Sequence, residues 1–295
     1  MTYALGVLSL AAVALTFCIT LHLSVVIIHL WDWWNGRRLS TFDQILSSIA
    51  LTNIMLELTI CFDAVIYSTG TYVTYGKEVY MCDTAMFYFL LELHFWQTAL
   101  LSIYYSTKLV NFSHSFFTWL KSKILTSPSH LVLALDITLF ILALPLFWII
   151  QIKNLENGTH HSSGNEEIAF MNNPYSVVNM VVGCCLPFTV MFACIGLSVR
   201  SLVSHVWRIR QNSSKFSSSP QIRAHVRAAS TMVQCAAVNL SLFFNTVFLF
   251  QSKVHLGTTL HFIFWFIFMS HPTIQMIILI AGNSKLKSRL QIKCP

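Results

Sequence analysis

Seven long apolar stretches, at residues 4–31, 45–67, 84–105, 130–152, 175–203, 228–250 and 258–281, run through the chain with short polar segments between them. Each meets the ~20 helical residues needed to cross a hydrocarbon layer of ~30 Å. The pattern predicts an all-α membrane protein, a seven-transmembrane helix bundle that takes up residues 1–295 as one domain. The first stretch is too long for a signal-peptide core and has no basic leader, so it reads as a retained first helix. An odd number of crossings puts the termini on opposite sides. When successive polar segments are assigned to alternate sides, 15 of the 18 basic residues fall together, and the other side receives only Lys77, Lys153 and Lys253. This bias orients the amino terminus outside and the carboxyl terminus in the cytoplasm, in a multi-pass protein of the plasma membrane.

Composition narrows the function classes. The chain is 55% hydrophobic and 10% charged, far from the ~25% charged residues of soluble domains. A net charge of +7 sits in short loops beside the spans, where anionic membrane lipid is its partner and nucleic acid is not. Most cysteines lie inside the stretches and read as small apolar packing residues. Cys82, near the outer end of the third stretch, sits where many seven-helix receptors form a bridge to the second outer loop, but that loop, 153–174, contains no cysteine. The rhodopsin-like class in its usual form is therefore disfavoured. Of the glycosylation sequons, Asn111, Asn212 and Asn239 fall in inner loops or inside a stretch, which leaves Asn157 as the outer acceptor. Residues 213–220, rich in serine, read as a flexible inner linker.

Polar residues inside apolar stretches are costly and need a reason. His22, Asn53 and Glu57 are expected to form an interior hydrogen-bond network, with Glu57 one turn from Asn53 on the same face. Asp136 lies near the inner end of its stretch. Asp63 and Glu92 belong to the outer half, below loops that carry Glu78, Asp83, Glu156, Glu166 and Glu167. An acidic entrance over an aromatic interior attracts organic cations, through its field and through cation–π contact. Phe87, Tyr88, Trp96, Trp265 and Phe268 are the rings with inward access, although such stripes also serve as plain packing. A secondary transporter using Glu57, Asp63 and Glu92 as a cation path is an alternative, but neither an internal repeat nor matched interrupted spans support it. The seventh stretch has no lysine for a Schiff base, and His160-His161 lack companion ligands at metal-site spacing. No catalytic residue, cofactor or metal site is expected.

Several stretches in order carry a family likeness. Asp32-Trp33, Arg37-Arg38, Ser40 and Asp43-Gln44-Ile45-Leu46 are followed by Trp96, Ser102, Tyr104-Tyr105, Lys108 and Asn111-Phe112-Ser113-His114. Pro187-Phe188, Ser201-Leu202, His205, Ala224-His225, Asn283 and Lys285-Leu286-Lys287 complete the series. At this spacing the chain resembles the bitter taste receptors (taste receptor type 2). It departs from them at His22, Asn53, Phe87, Leu91-Glu92 and Gln275-Met276, which marks a divergent member.

The resemblance implies a G-protein-coupled receptor that binds small bitter agonists in an outer-facing pocket, and the acidic entrance adds the expectation that they are often cationic. It also implies activation of a heterotrimeric G protein of the gustducin or inhibitory type. The ligand residues it suggests are Asp63, Tyr67, Thr84, Phe87, Tyr88, Leu91, Glu92, Trp265 and Phe268. For coupling it points to Tyr104, Tyr105, Lys108, His205, Arg208, His225 and Lys285, the bases among them being equally explained by membrane topology. Glu92 reads either as an ion-pairing anchor or as a protonated group bonded to a neighbouring helix. A vomeronasal type 1 pheromone receptor is the alternative within receptors, disfavoured by Asn111-Phe112-Ser113-His114. With the amino terminus outside, Asn157→Gln is expected to abolish the only glycosidase-sensitive mass shift, and a shift that persists in the variant would refute the topology or the sequon assignment.

Overall fold

A computed structural model describes residues 2–69, 77–110, 122, 128–146, 150–151, 170–171, 173–212, 220–251 and 259–292. The long helices are α1 (Thr2–Trp34), α2 (Thr41–Thr69), α3 (Lys77–Leu109) and α4 (Pro128–Ala143). A continuous helix, α5, follows in three parts: α-helical Asn173–Asn179, π-helical Met180–Cys185 and α-helical Leu186–Asn212. Then come α6 (Pro220–Gln251), α7 (Thr259–Gly282) and a short α8 (Ser284–Ile292). Six of these helices are long and apolar enough to cross a membrane, and Ser129–Ala143 in α4 is a shorter apolar helix.

The fourth apolar stretch is shorter as a helix than its hydropathy suggests. Pro145 cannot donate to the carbonyl four residues back, and it disfavours helical geometry at Leu144. The helix breaks in a turn at Leu144–Pro145, Leu146 is helical again, and Ile150–Gln151 pair antiparallel with Phe170–Met171. Hydropathy cannot see this, because the residues beyond the break are as apolar as those before it.

Around the bundle, α1 packs on α2 and α7, α6 on α5 and α7, and α4 on α2 and α3. Helix α3 runs through the middle and touches α2, α4, α5 and α6. Large apolar side chains such as Phe17, Leu30, Ile141 and Val177 are exposed and face lipid. Inside are two apolar layers. One, toward the carboxyl-terminal end, includes Ile28, Phe42, Ile49, Leu100, Tyr104, Met276 and Leu279. The other, toward the amino-terminal end, includes Leu56, Ile60, Phe87, Leu91, Phe95, Phe188 and Phe268.

Between the layers lies a buried polar network. His22 Nδ1 faces the Cys18 carbonyl at 2.7 Å and must donate to it, which leaves Nε2 to accept from Asn53 Nδ2 at 3.1 Å. Asn53 Nδ2 also donates to Gln275 Oε1 (3.3 Å), and Gln275 Nε2 donates to Thr98 Oγ1 (2.8 Å). His94 bridges Asn53 Oδ1 (2.7 Å) and Asn239 Oδ1 (3.1 Å). Five helices, α1, α2, α3, α6 and α7, are thereby tied at one level. The expected His22–Asn53 pair is present. Glu57 stays outside it, buried with both carboxyl oxygens lacking a hydrogen-bond partner among the described residues, because Asn53 is already committed to His22, His94 and Gln275.

Local signals fix the carboxyl-terminal end. Arg37 N–H bonds the Asp32 carbonyl (2.9 Å) and Gly36 N–H the Trp33 carbonyl (3.0 Å), with Gly36 at φ +70°, which is a Schellman end for α1. Ser40 and Asp43 form a capping box at the start of α2: Asp43 N–H donates to Ser40 Oγ (3.2 Å) and Ser40 N–H to Asp43 Oδ2 (3.3 Å). Asn283 Oδ1 accepts from Lys285 and Leu286 N–H and so caps α8. Asp32 pairs with Arg37 (3.4 Å) and Arg289, while Asp43 pairs with Lys285 (3.4 Å) and faces His29 (3.6 Å). These pairs clasp α8 to the ends of α1 and α2.

Asn53→Leu should be strongly destabilising, since it strands His22 Nε2, His94 Nδ1 and Gln275 Oε1 at ~1–3 kcal/mol each. Cell-surface level and the melting temperature of the solubilised protein should both fall, and values equal to those of the unaltered protein would show that the network contributes nothing.

Candidate ligand-binding site

The site is organised by a proline. Pro187 has no N–H, so the Gly183 carbonyl cannot be satisfied in an α-helical register, nor the Val182 carbonyl in a π-helical one. Leu186 N–H bonds the Val181 carbonyl, five residues back, and the turn Met180–Cys185 is π-helical. The Val182 carbonyl released in this way accepts from Trp96 Nε1 on α3 at 3.1 Å. A kink-forming residue on α5 is therefore matched by an indole donor on α3, in surroundings where water is scarce.

One helical turn before Trp96 stands Glu92, which is 4% exposed. The Asn179 side chain, on the last α-helical residue before the π turn, lies near its carboxyl. Glu92 Oε1 has no hydrogen-bond partner among the described residues. The side chain lies directly against Gly183 of the π turn.

Beside this seam is an aromatic cluster. Phe87 meets Phe268 of α7 with ring centroids 5.5 Å apart, and Tyr88 at 5.7 Å in an edge-to-face contact. Leu91 is fully buried beneath them, and Trp265 packs on the same cluster. The structure thus brings together Phe87, Tyr88, Leu91, Trp265 and Phe268 as the sequence suggests. Thr84 is half-buried about two turns into α3, one turn before Tyr88. Asp63 is half-buried and hydrogen-bonded to Asp83, so α2 and α3 each contribute a carboxyl at the amino-terminal end. Tyr67 belongs to α2, but its side chain lies outside the described residues, as do Asn157, Glu156, Glu166 and Glu167.

The coupling candidates occupy the other end. Tyr104 is buried against Phe42 (6.4 Å between centroids), Tyr105 packs on the same ring (5.8 Å), and Lys108 Nζ lies 4.6 Å over Tyr104. Lys285 is bound to Asp43 in the α8 clasp. Ser201 Oγ donates to the Leu109 carbonyl (3.2 Å), which joins α5 to the end of α3. Gly282 of α7 abuts the Thr231 side chain of α6 with no room for a Cβ. His205 and Arg208 fall in α5 and His225 in α6, with side chains outside the described residues.

Sequence reasoning missed four contributors: Asn179, Gly183, His94 and His271. The signal for Gly183 was Pro187 four residues later. His94 and His271 look like isolated polar residues in apolar runs, yet both are buried with their rings edge to face at 5.0 Å. Neither ring nitrogen of His271 has a hydrogen-bond partner among the described residues.

A helical membrane protein with a buried polar tie, an aromatic layer toward one end and a tyrosine–basic cluster at the other has the organisation of a G-protein-coupled receptor. Comparison with known proteins places it further. The taste receptor protein (TAS2R) family profile matches residues 1–293, and the chain belongs to that family. It is 28% identical to taste receptor type 2 member 9 of Macaca mulatta, over 90% of this chain and 85% of that protein. It is 29% identical to the human member 9 (89% and 85% covered) and 27% identical to member 7 of Pongo pygmaeus (97% and 87%). The protein is accordingly a multi-pass receptor of the bitter taste class and not an enzyme, and the family couples small-molecule ligands to G proteins.

Trp96→Phe keeps the ring but strands the Val182 carbonyl, a cost of ~1–3 kcal/mol. The purified receptor should melt at a lower temperature, and an unchanged melting curve would show that the indole bond is not needed.

Proposed function

We propose that the chain is a plasma-membrane bitter receptor with its amino terminus outside, which binds small cationic agonists between α2, α3, α5 and α7. It then activates a heterotrimeric G protein of the gustducin or inhibitory type. The observation that carries the cationic preference is Glu92, a buried carboxyl with one oxygen unpartnered among the described residues, one turn from the Phe87–Tyr88–Phe268 rings. A ligand ammonium would supply the missing partner while the rings cover its apolar part. Leu91 and Trp265 complete the wall, Thr84 and the Asp63–Asp83 pair stand nearer the entrance, and Tyr67, on the same helix as Asp63, is assigned to the ligand as well. Each carboxyl on that route adds to the attraction for a cation.

At the opposite end, Tyr104, Tyr105, Lys108, His205, Arg208, His225 and Lys285 are the groups we assign to coupling. A basic surface there suits the acidic, carboxylate-ended helix of a G protein. Ligand efficacy comes from unequal affinity for two arrangements of the bundle.

The deciding experiment is a calcium-release screen of a bitter-compound panel in cells with a chimeric G protein, repeated on Glu92→Gln. A charge-assisted contact is worth ~1.5–3 kcal/mol, so potency of a permanently charged agonist should fall roughly tenfold to a hundredfold. A neutral agonist should be little affected. Equal losses for both, or none for either, would refute the anchor.

A further inference from the structure

The contact between Glu92 and α5 depends on a missing side chain. A Cβ at position 183 would stand 2.5 Å from Glu92 Cγ, 2.6 Å from Cδ and 2.8 Å from Oε1. Carbon atoms pack at ~3.5–4.0 Å, so the smallest side chain there evicts the carboxyl. The obstruction falls near the root of the glutamate, at Cγ, where rotation about the last bond gives no relief. Gly183 lies in the π turn and not in the left-handed region, Gly36 being the positive-φ glycine among the described residues. Alanine therefore suits the backbone at 183, and any penalty comes from the contact with Glu92.

Two bonds hold this arrangement in register. Trp96 Nε1 holds the Val182 carbonyl, the residue immediately before Gly183. Leu186 N–H closes the π turn on the Val181 carbonyl. The glycine is thus pinned opposite the carboxyl, with the Asn179 side chain near that carboxyl from the turn before.

We propose that Gly183 is a specificity-determining position: by carrying no side chain it lets Glu92 hold its carboxyl against the π turn of α5, and so fixes where the receptor meets the charge of a cationic agonist. This rests on Glu92 being the cation anchor. Gly183 is a positioning residue, acting on the ligand through Glu92. A larger residue at 183 would push the carboxyl out of Asn179's reach, toward the aromatic layer, and change which cations fit.

The test uses the full-length receptor, purified as the unaltered form, Gly183→Ala, Glu92→Ala and the double variant, with Glu92→Gln to identify the infrared carboxyl band of Glu92. Gly183→Ala should shift that band, a signature that a general packing defect would not produce. It should also lower the melting temperature, and the loss should vanish in the Glu92→Ala background, where no carboxyl is left to evict. Where Gly183→Ala alone fails to reach the cell surface, restoration by Glu92→Ala reports the same coupling. An unmoved band, or a penalty undiminished without the Glu92 side chain, overturns the proposal. In cells, with the cationic and neutral agonists found by the screen, Gly183→Ala should weaken cationic agonists about tenfold more than neutral ones. A cationic preference abolished by Glu92→Gln but untouched by Gly183→Ala overturns Gly183 as its determinant. One untouched by either variant overturns the anchor itself.

Discussion

The structure depends on a rule of the lipid interior, that a polar group finds its partner inside the protein or not at all. Asn53 obeys it most fully. Its amide reaches His22 on α1, His94 on α3 and Gln275 on α7, and His94 passes the connection on to Asn239 on α6. Apolar surface against lipid gives little reason for one helix to choose another, since the lipid tails are as apolar as leucine. Directional bonds supply the choice and fix the rotation of five helices at a common level. The apolar layers on either side then have defined partners to pack against.

The same rule explains the aromatic end. Pro187 creates a surplus carbonyl in α5, and Trp96 answers it from α3, so the two helices are locked where Glu92 and Gly183 meet. Near the lock, one oxygen of Glu92, both of Glu57 and both ring nitrogens of His271 have no hydrogen-bond partner among the described residues, as do Gln44 Oε1, Gln97 Oε1 and Ser106 Oγ elsewhere in the bundle. Each is a place where the rule is met only in part, and the tie through Asn53 carries the specificity that these groups do not.

Much of this was legible in the sequence, for definable reasons. Span length read directly, because it is a property of single segments against a slab of known thickness. Ser40 with Asp43 and Gly36 after Trp34 are local signals with local consequences. The aromatic cluster was readable in its members, since Phe87, Tyr88 and Leu91 share a face of α3. The end of α4 was not read correctly, although Pro145 was there to mark it, because hydropathy continued past the break. Asn179 and Gly183 were invisible for a different reason. Their significance lies in what approaches them from another helix, and a glycine in an apolar run advertises nothing about its neighbour. Glu57 was assigned to the wrong partner because spacing along one helix reported a shared face and could not report that Asn53 was already occupied from three sides.

The clasp that seats α8 has a graded character along its length. Arg289 reaches Asp32 from a largely covered position, 27% exposed, whereas Lys285 meets Asp43 while 57% exposed. Mobile ions screen exposed pairs within about a nanometre at physiological strength and reach covered ones much less. As ionic strength rises, the Lys285–Asp43 pair weakens before the Arg289–Asp32 pair does. The first turn of the helix is held in any case by the chain leaving α7, by the Asn283 cap and by buried Leu286, so the covered Arg289 pair sits where it is needed, at the end that has no such support, and the seat of the helix tolerates salt.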